Sequence, residues 1–178
     1  MSHDEVVALV DEDGSVVGSA PRSVVRRDNL RHSATAVLVR DPSRRIYLHR
    51  RSDLKDWAPG HWDVAAGGVI AAGEEPDDSA LRELEEELGI SGVALLPLGR
   101  HLYEDDTTRC FEHVFEATWD GPVRHQPEEV VDGRWVTLAE LRALLADATV
   151  PFVPDTRQLL VMLSDDAVAD YGALSRNP

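Results

Sequence analysis

The stretch Gly68–Ile90 reads GVIAAGEEPDDSALRELEEELGI and predicts a turn, a helix and a stop. Pro76 suits the first helical position, where its missing N–H is harmless. Asp77 and Asp78 fall in the first turn, where acidic groups complement the helix dipole. Gly89 stands where a left-handed C-terminal cap belongs. Glu83, Glu86 and Glu87 are spaced i, i+3, i+4, so they share one helical face within an arc of about 100°. Leu81, Leu84 and Leu88, with Ala80, fall on another face and can pack inward.

That acidic face needs a reason. Like charges at these spacings destabilise a helix by about 0.2–0.5 kcal/mol per pair. Only Arg82 interleaves them. Three converging carboxylates are relieved most directly by a hard divalent cation, which takes oxygen ligands. The plainer reading is a solvated acidic face on an acidic protein.

The whole stretch resembles the box of the Nudix hydrolases. Gly68, Glu74, Arg82, Glu83, Leu84, Glu86, Glu87, Gly89 and Ile90 stand at its fixed positions, and none departs from the pattern. The box spans about an eighth of the 178 residues. The resemblance implies an α/β (α+β) Nudix fold, in which helices sandwich a mixed β-sheet.

The rest of the chain bounds the answer. A length of 178 residues suits one well-cored domain, taken here as 1–178. The net charge of −15 argues against nucleic-acid polymers, which need a basic footprint. Small phosphorylated substrates stay open, because a bound cation inverts the local field. A single cysteine, Cys110, excludes an intramolecular disulfide framework. The opening MSHDEVVALVDEDG has neither a basic leader nor an apolar signal core, and no apolar run reaches membrane-spanning length. A soluble cytoplasmic protein is expected. Oligomeric state stays open, with a homodimer among the options.

In chain order, residues 1–31 form an N-terminal extension with a hairpin, strands at Glu5–Val10 and Ser15–Ala20 around an Asp11–Gly14 turn. Arg22, Arg26, Arg27 and Arg31 form a cationic cluster, read as partners for acidic surface in preference to phosphate contacts. Ala34–Arg40 and Ile46–Arg50 read as paired strands across the Asp41-Pro42-Ser43 turn. Lys55, between Asp53 and Asp56, reads equally as a phosphate hand or a surface pair. Trp62 belongs in the core or on a pocket wall. Val93–Tyr103, Arg109–Trp119 and Val130–Val136 follow as strands. Thr137 with Glu140 makes a capping box before LAELRALLA, and Asp155 is the expected cap of a last helix. From residue 170 to 178 a loose tail is expected.

A second resemblance covers most of the first ninety residues. The DEDGSVVG hairpin, His32, Arg50-Arg51-Ser52, Lys55 and Pro59-Gly60-His61-Trp62 resemble the isopentenyl-diphosphate isomerase branch of the superfamily. Those isomerases carry a catalytic cysteine just before the box, followed closely by a metal-binding histidine. Here Gly67 and Val69 stand at those positions, and Cys110 lies on a strand far away in sequence. The chain therefore reads as a hydrolase on an isomerase-like scaffold.

The Nudix resemblance implies hydrolysis of a diphosphate linkage, typically in a nucleoside diphosphate derivative. It implies Mg²⁺ or Mn²⁺ on Glu83, Glu86 and Glu87, with the Gly68 carbonyl as a further ligand. Glu83 or Glu87 doubles as general base. Arg82 and Glu74 act as orienters of the catalytic glutamates. A further carboxylate is expected from Glu128 or Glu129, with Glu129 preferred. His32, His49, His61, His101 and His113 read as structural, with His32 set apart because it resembles an isomerase metal ligand. Two alternatives remain: a prenyl-diphosphate isomerase, disfavoured by Gly67 and Val69, and a non-catalytic nucleotide-sensing Nudix domain.

Overall fold

The structure is a computed structural model that describes residues 5–175. Strand β3 (His32–Arg40) is its axis, and all nine of its residues are buried. Its side chains alternate between two cores, as the period of two along a strand requires. Ala36 and Leu38 join Ile46, Leu48, Leu141, Leu159, Leu160 and Leu163 on one side. Val37 and Val39 join Ala80, Leu84, Leu88 and Ile90 on the other. A strand buried on both faces is a continuous apolar run, as HSATAVLVR nearly is.

Among the described residues, nine strands form one mixed sheet. Strands β1 (Val6–Val10) and β2 (Val16–Pro21) make the expected hairpin, which joins the sheet where Leu9 pairs His32. The short helix α1 (Arg22–Asp28) follows. Strand β4 (Ile46–Arg51) meets β3 only at Arg40–Ile46. The expected β3–β4 pair is present but short, and each strand makes its long ladder with another. Strand β3 runs parallel to β8 (Arg109–Thr118) from His32–Cys110 to Arg40–Thr118, and β4 runs antiparallel to β9 (Val130–Val136). Strand β7 (Leu96–Glu104) pairs β8 as a hairpin. Two short strands, β5 (Trp62–Asp63) and β6 (Ala65–Ala66), lead towards the box.

Helix α2 (Pro76–Leu88) covers the second core. Gly89 closes it at φ 65°, donating to Glu85 and Leu84 carbonyls as a left-handed cap does. Helices α3 (Leu138–Ala146) and α4 (Pro154–Asp165) cover the first core. Thr137 and Glu140 form the capping box in both directions.

Two expectations are corrected. Asp155 does not cap α4. Val153 holds that position, and Asp155 is buried in the first turn, beside Glu112 and Cys110. The tail does not loosen at residue 170. Tyr171 opens a 3-10 turn to Leu174, is fully buried, and donates to Glu116 Oε2 at 2.8 Å. The reason is Arg40. Its buried guanidinium needs counter-charge, which Glu116 (3.7 Å) and Asp170 (2.9 Å) supply, and it stacks 5.0 Å over the Tyr171 ring. Residues 176–178 lie outside the described residues.

Candidate active site on the box helix

Helix α2 presents its acidic residues to the sheet, and only partly to solvent. Glu83 and Glu87 are 1% and 2% exposed, while Glu86 is exposed. The sequence places all three on one face; the structure shows that this face straddles the edge of the buried seam. Leu84, Leu88 and Ala80 anchor the helix beneath them, and Leu81 is half-buried.

Gly68 lets Glu83 approach. A Cβ on Gly68 would lie 2.7 Å from the Glu83 carboxyl carbon. The Gly68 carbonyl accepts the Thr35 N–H at 2.9 Å, which leaves one of its two lone pairs. Gly67 is tighter still: a Cβ there would stand 2.0 Å from the Thr35 carbonyl oxygen. The Gly67 N–H donates to Glu87 Oε2 at 3.2 Å. Val69 is buried with Val7 and Val25 in a small core of its own.

Arg82 organises one group of carboxylates. It donates to both oxygens of Glu74 (2.9 and 3.1 Å), to Glu83 Oε1 (2.7 Å) and, at 3.5 Å, to Glu86 Oε2. Lys55 organises a second group. It donates to Glu129 Oε2 and stands 3.5 Å from Glu87 Oε1. The structure therefore brings Glu129 to the site and leaves Glu128 exposed.

Burial, with the Glu87 carboxylate next, pushes Glu83 up to about 7 despite Arg82. Burial also raises Glu87, with Lys55 opposing. Arg82 holds Glu74 below the usual carboxylate range. Glu83 Oε2 is buried and, among the described residues, has no hydrogen-bond partner. A buried carboxylate oxygen without a donor is costly, and a divalent cation is the oxygen-seeking group that satisfies it. Glu83, Glu86 and Glu87 thus fit the ion that the resemblance implies.

A cavity of about 80 Å³ opens beside the box glycines. Gly67, Gly68, Arg51, Lys55 and Asp63 line it, as do Arg22, Arg26 and Trp57. The arginine cluster is ion-paired, as expected: Arg22 and Arg26 to Asp56, Arg27 to Asp28, and Arg31 to Glu104. Two of its members nonetheless face the cavity.

Sequence reasoning missed the cavity's floor. Parallel pairing of β3 and β8 sets Cys110 beside His32, and Asp155 arrives from α4. Burial pushes the Cys110 thiol well up, so it is no thiolate nucleophile. His32 Nδ1 donates to the Leu30 carbonyl at 3.0 Å, and the ring is lowered to about 4, chiefly by burial. His101 sits 2.7 Å from Glu112. Only the alternation FEH within β8 hinted at an inward Glu112, and nothing local links β8 to α4.

A mixed sheet between helices, with a glycine turn feeding a helix of buried carboxylates beside an open cavity, defines the MutT-like class of hydrolase folds. The fold is similar to that of DR0079 from Deinococcus radiodurans, with a TM-score of 0.74 and 27% identity over 87% of this chain and 96% of that one. The MutT protein from Methanosarcina mazei, at 22% identity and a TM-score of 0.65, shows the fold alone. The NUDIX domain profile matches residues 30–156, and the chain belongs to the Nudix family. It is 46% identical over 167 residues to the uncharacterized Nudix hydrolase orf19 of Rhodococcus erythropolis, covering 88% of this chain and 90% of that one. It is 36% identical to the uncharacterized Nudix hydrolase YfcD of Escherichia coli K12, covering 91% and 88%. The protein is a Nudix hydrolase, a pyrophosphohydrolase by class. Among the described residues, no helix is long and apolar enough to cross a membrane.

Proposed function

We propose that the protein cleaves a diphosphate linkage in a nucleoside diphosphate derivative or a similar small phosphorylated metabolite, with Mg²⁺ or Mn²⁺ bound at the box helix. The observation that carries this is Glu83 Oε2, buried, unpartnered and held against Gly68 beside Glu87. Glu83, Glu86 and Glu87 would hold the ion, with the free lone pair of the Gly68 carbonyl and the Glu129 carboxylate in support. A bound divalent cation polarises a phosphate and lowers the pKa of a water.

The chain's own groups do the rest. Arg82 fixes Glu83, and Glu74 fixes Arg82, so the carboxylate cannot rotate away. The Gly67 N–H and Lys55 pin Glu87. Glu83 or Glu87 accepts the proton of the attacking water as the phosphorus–oxygen bridge breaks. Every one of these side chains comes from a single chain. The free, buried Cys110 supports a reducing, cytoplasmic setting.

The hydrolase reading is preferred to the isomerase one on geometry. No side chain fits at Gly67, so no thiol can stand where an isomerase needs it, and Val69 is core. The shared motifs still support descent from the isomerase-like branch.

The test is a phosphate-release screen with Mg²⁺ over nucleoside diphosphate derivatives. ADP-ribose belongs in it, because a Nudix domain of similar fold from Shewanella oneidensis was crystallised with it. Turnover is expected in wild type and is expected to collapse in Glu86→Gln and Glu87→Gln. Undiminished turnover in both variants would sink the assigned metal site. Isomer interconversion of prenyl diphosphates, without hydrolysis of any diphosphate, would favour the isomerase.

A further inference from the structure

Lys55 has a place that hydrolysis alone does not explain. Its side chain is 8% exposed, and the side chains it touches, Glu87 and Glu129, are 3% and 11% exposed. Its ammonium joins a carboxylate of α2 to one from the loop before β9, two segments that also meet where the Gln126 N–H donates to the Glu87 carbonyl at 3.2 Å. The carboxylates of the site are thereby sorted. Glu74, Glu83 and Glu86 are served by Arg82, and one Glu83 oxygen is left over. Among the described residues Glu87 and Glu129 leave no buried oxygen unpartnered: Glu87 has the Gly67 N–H and Lys55, and Glu129 has Lys55.

Two buried carboxylates need positive charge between them. A lysine ammonium is a compact point charge on a flexible four-carbon stem, so it can fill a cation position and can also leave it. Arginine, with its planar fork, would be the choice for a permanent pair. Lys55 also lines the cavity, so there is room for it to withdraw.

We infer that Lys55 is the tethered occupant of an inner cation site formed by Glu87 and Glu129. It competes with divalent metal there, so it sets how many ions the protein holds and how tightly. This rests on reading the box helix as a metal site. One ion enters freely at Glu83 and Glu86. Another, or a full share of Glu87, is gained only when Lys55 withdraws.

The experiment counts Mn²⁺ by electron paramagnetic resonance in the whole protein. Wild type is expected to show a tight class and a weak class of bound Mn²⁺. In Lys55→Met the weak class is expected to tighten by about tenfold or more, because the buried pair has lost its own cation. Metal-free Lys55→Met is expected to melt lower than wild type and to gain more from Mn²⁺. Lys55→Arg keeps the charge and makes the pair permanent, so it is expected to keep the tight class and lose the weak one. If Lys55→Met does not fold without metal, Lys55→Met/Glu129→Gln removes one charge of each sign. There the weak class is expected to vanish, and its persistence overturns the inference. Identical Mn²⁺ binding in wild type and Lys55→Met overturns the inference and leaves the box-helix site standing. Wild type that binds no Mn²⁺ overturns both.

Discussion

Arg82 holds Glu74 by two parallel hydrogen bonds, Nε to Oε1 at 2.9 Å and Nη2 to Oε2 at 3.1 Å. The same guanidinium reaches Glu83 at 2.7 Å. Glu74 lies in the turn before the helix and also accepts the Ala71 N–H, so the turn sets the angle at which Glu83 faces the cavity. A planar fork does this and a point charge does not.

Arg82→Lys and Glu74→Gln are therefore expected to lower turnover by about ten- to a hundredfold, the usual effect of losing a group that orients a metal ligand. Their melting temperatures are expected to stay near wild type, because Arg82 is a third exposed. Steady-state kinetics beside thermal melts check this. Wild-type turnover in Arg82→Lys would show that the fork does not matter.

Gly67→Cys tests the close packing of the turn on β3. Its Cβ would sit 2.0 Å from the Thr35 carbonyl oxygen, which is backbone and cannot swing aside. A loss of about 1–3 kcal/mol or more is expected in urea unfolding, as for overpacking elsewhere. No prenyl-diphosphate isomerase activity is expected from it. Wild-type stability would mean that the turn has slack.

Acid weakens the fold through two histidines. His49 is lowered to about 3 and His32 to about 4, both chiefly by burial. Above their unfolded value of about 6.5, both are neutral in either state and stability is intact. Below it the unfolded chain takes up protons that the folded chain refuses until about 4 and 3. Stability therefore falls as pH drops from about 6.5 to those values, by at most about 1.4 kcal/mol per pH unit for each histidine. Urea midpoints measured from pH 7 to pH 4.5 should show the slope, and His49→Leu should flatten it. An unchanged slope in that variant would acquit His49.

Ending the chain after residue 169 removes Asp170 and Tyr171 from Arg40. The guanidinium is fully buried, and it would be left with the Arg44 carbonyl and a distant Glu116 carboxylate. About 3–5 kcal/mol of destabilisation is expected, the range for a buried pair that loses a partner. Chemical denaturation of the truncated protein measures it. A truncated chain of wild-type stability would make the residue 170–174 segment dispensable.

The box helix was legible because its information is local. A proline start, a glycine stop, the leucine spacing and the glutamate spacing all lie within twenty-three residues. The N-terminal hairpin and the Thr137–Glu140 capping box were legible for the same reason. Strand pairing was not. Parallel strands have no tight turn to announce them, so β3–β8 could not be read, and Asp41-Pro42-Ser43 suggested a β3–β4 pair that the structure reduces to one contact. The cavity floor followed it out of reach, since Cys110, Glu112 and Asp155 meet only through that pairing and the docking of α4. Asp155 looked like a cap because Asp after Pro commonly is one. Its burial against other acids is a tertiary fact. Glu129 was legible by resemblance, and its lysine partner was not.

The clasp between Arg40 and Asp170 has a consequence for synthesis. Strand β3 leaves the ribosome early, but its parallel partner comes about eighty residues later and the last counter-charge of Arg40 comes at residue 170. Domains emerge from their N-terminus first, at about 5–20 residues per second. The axis of this sheet thus waits, with a charged group and two apolar faces uncovered, until residue 170 has emerged, and the nascent chain is an expected client of whatever shields exposed strands at the ribosome exit.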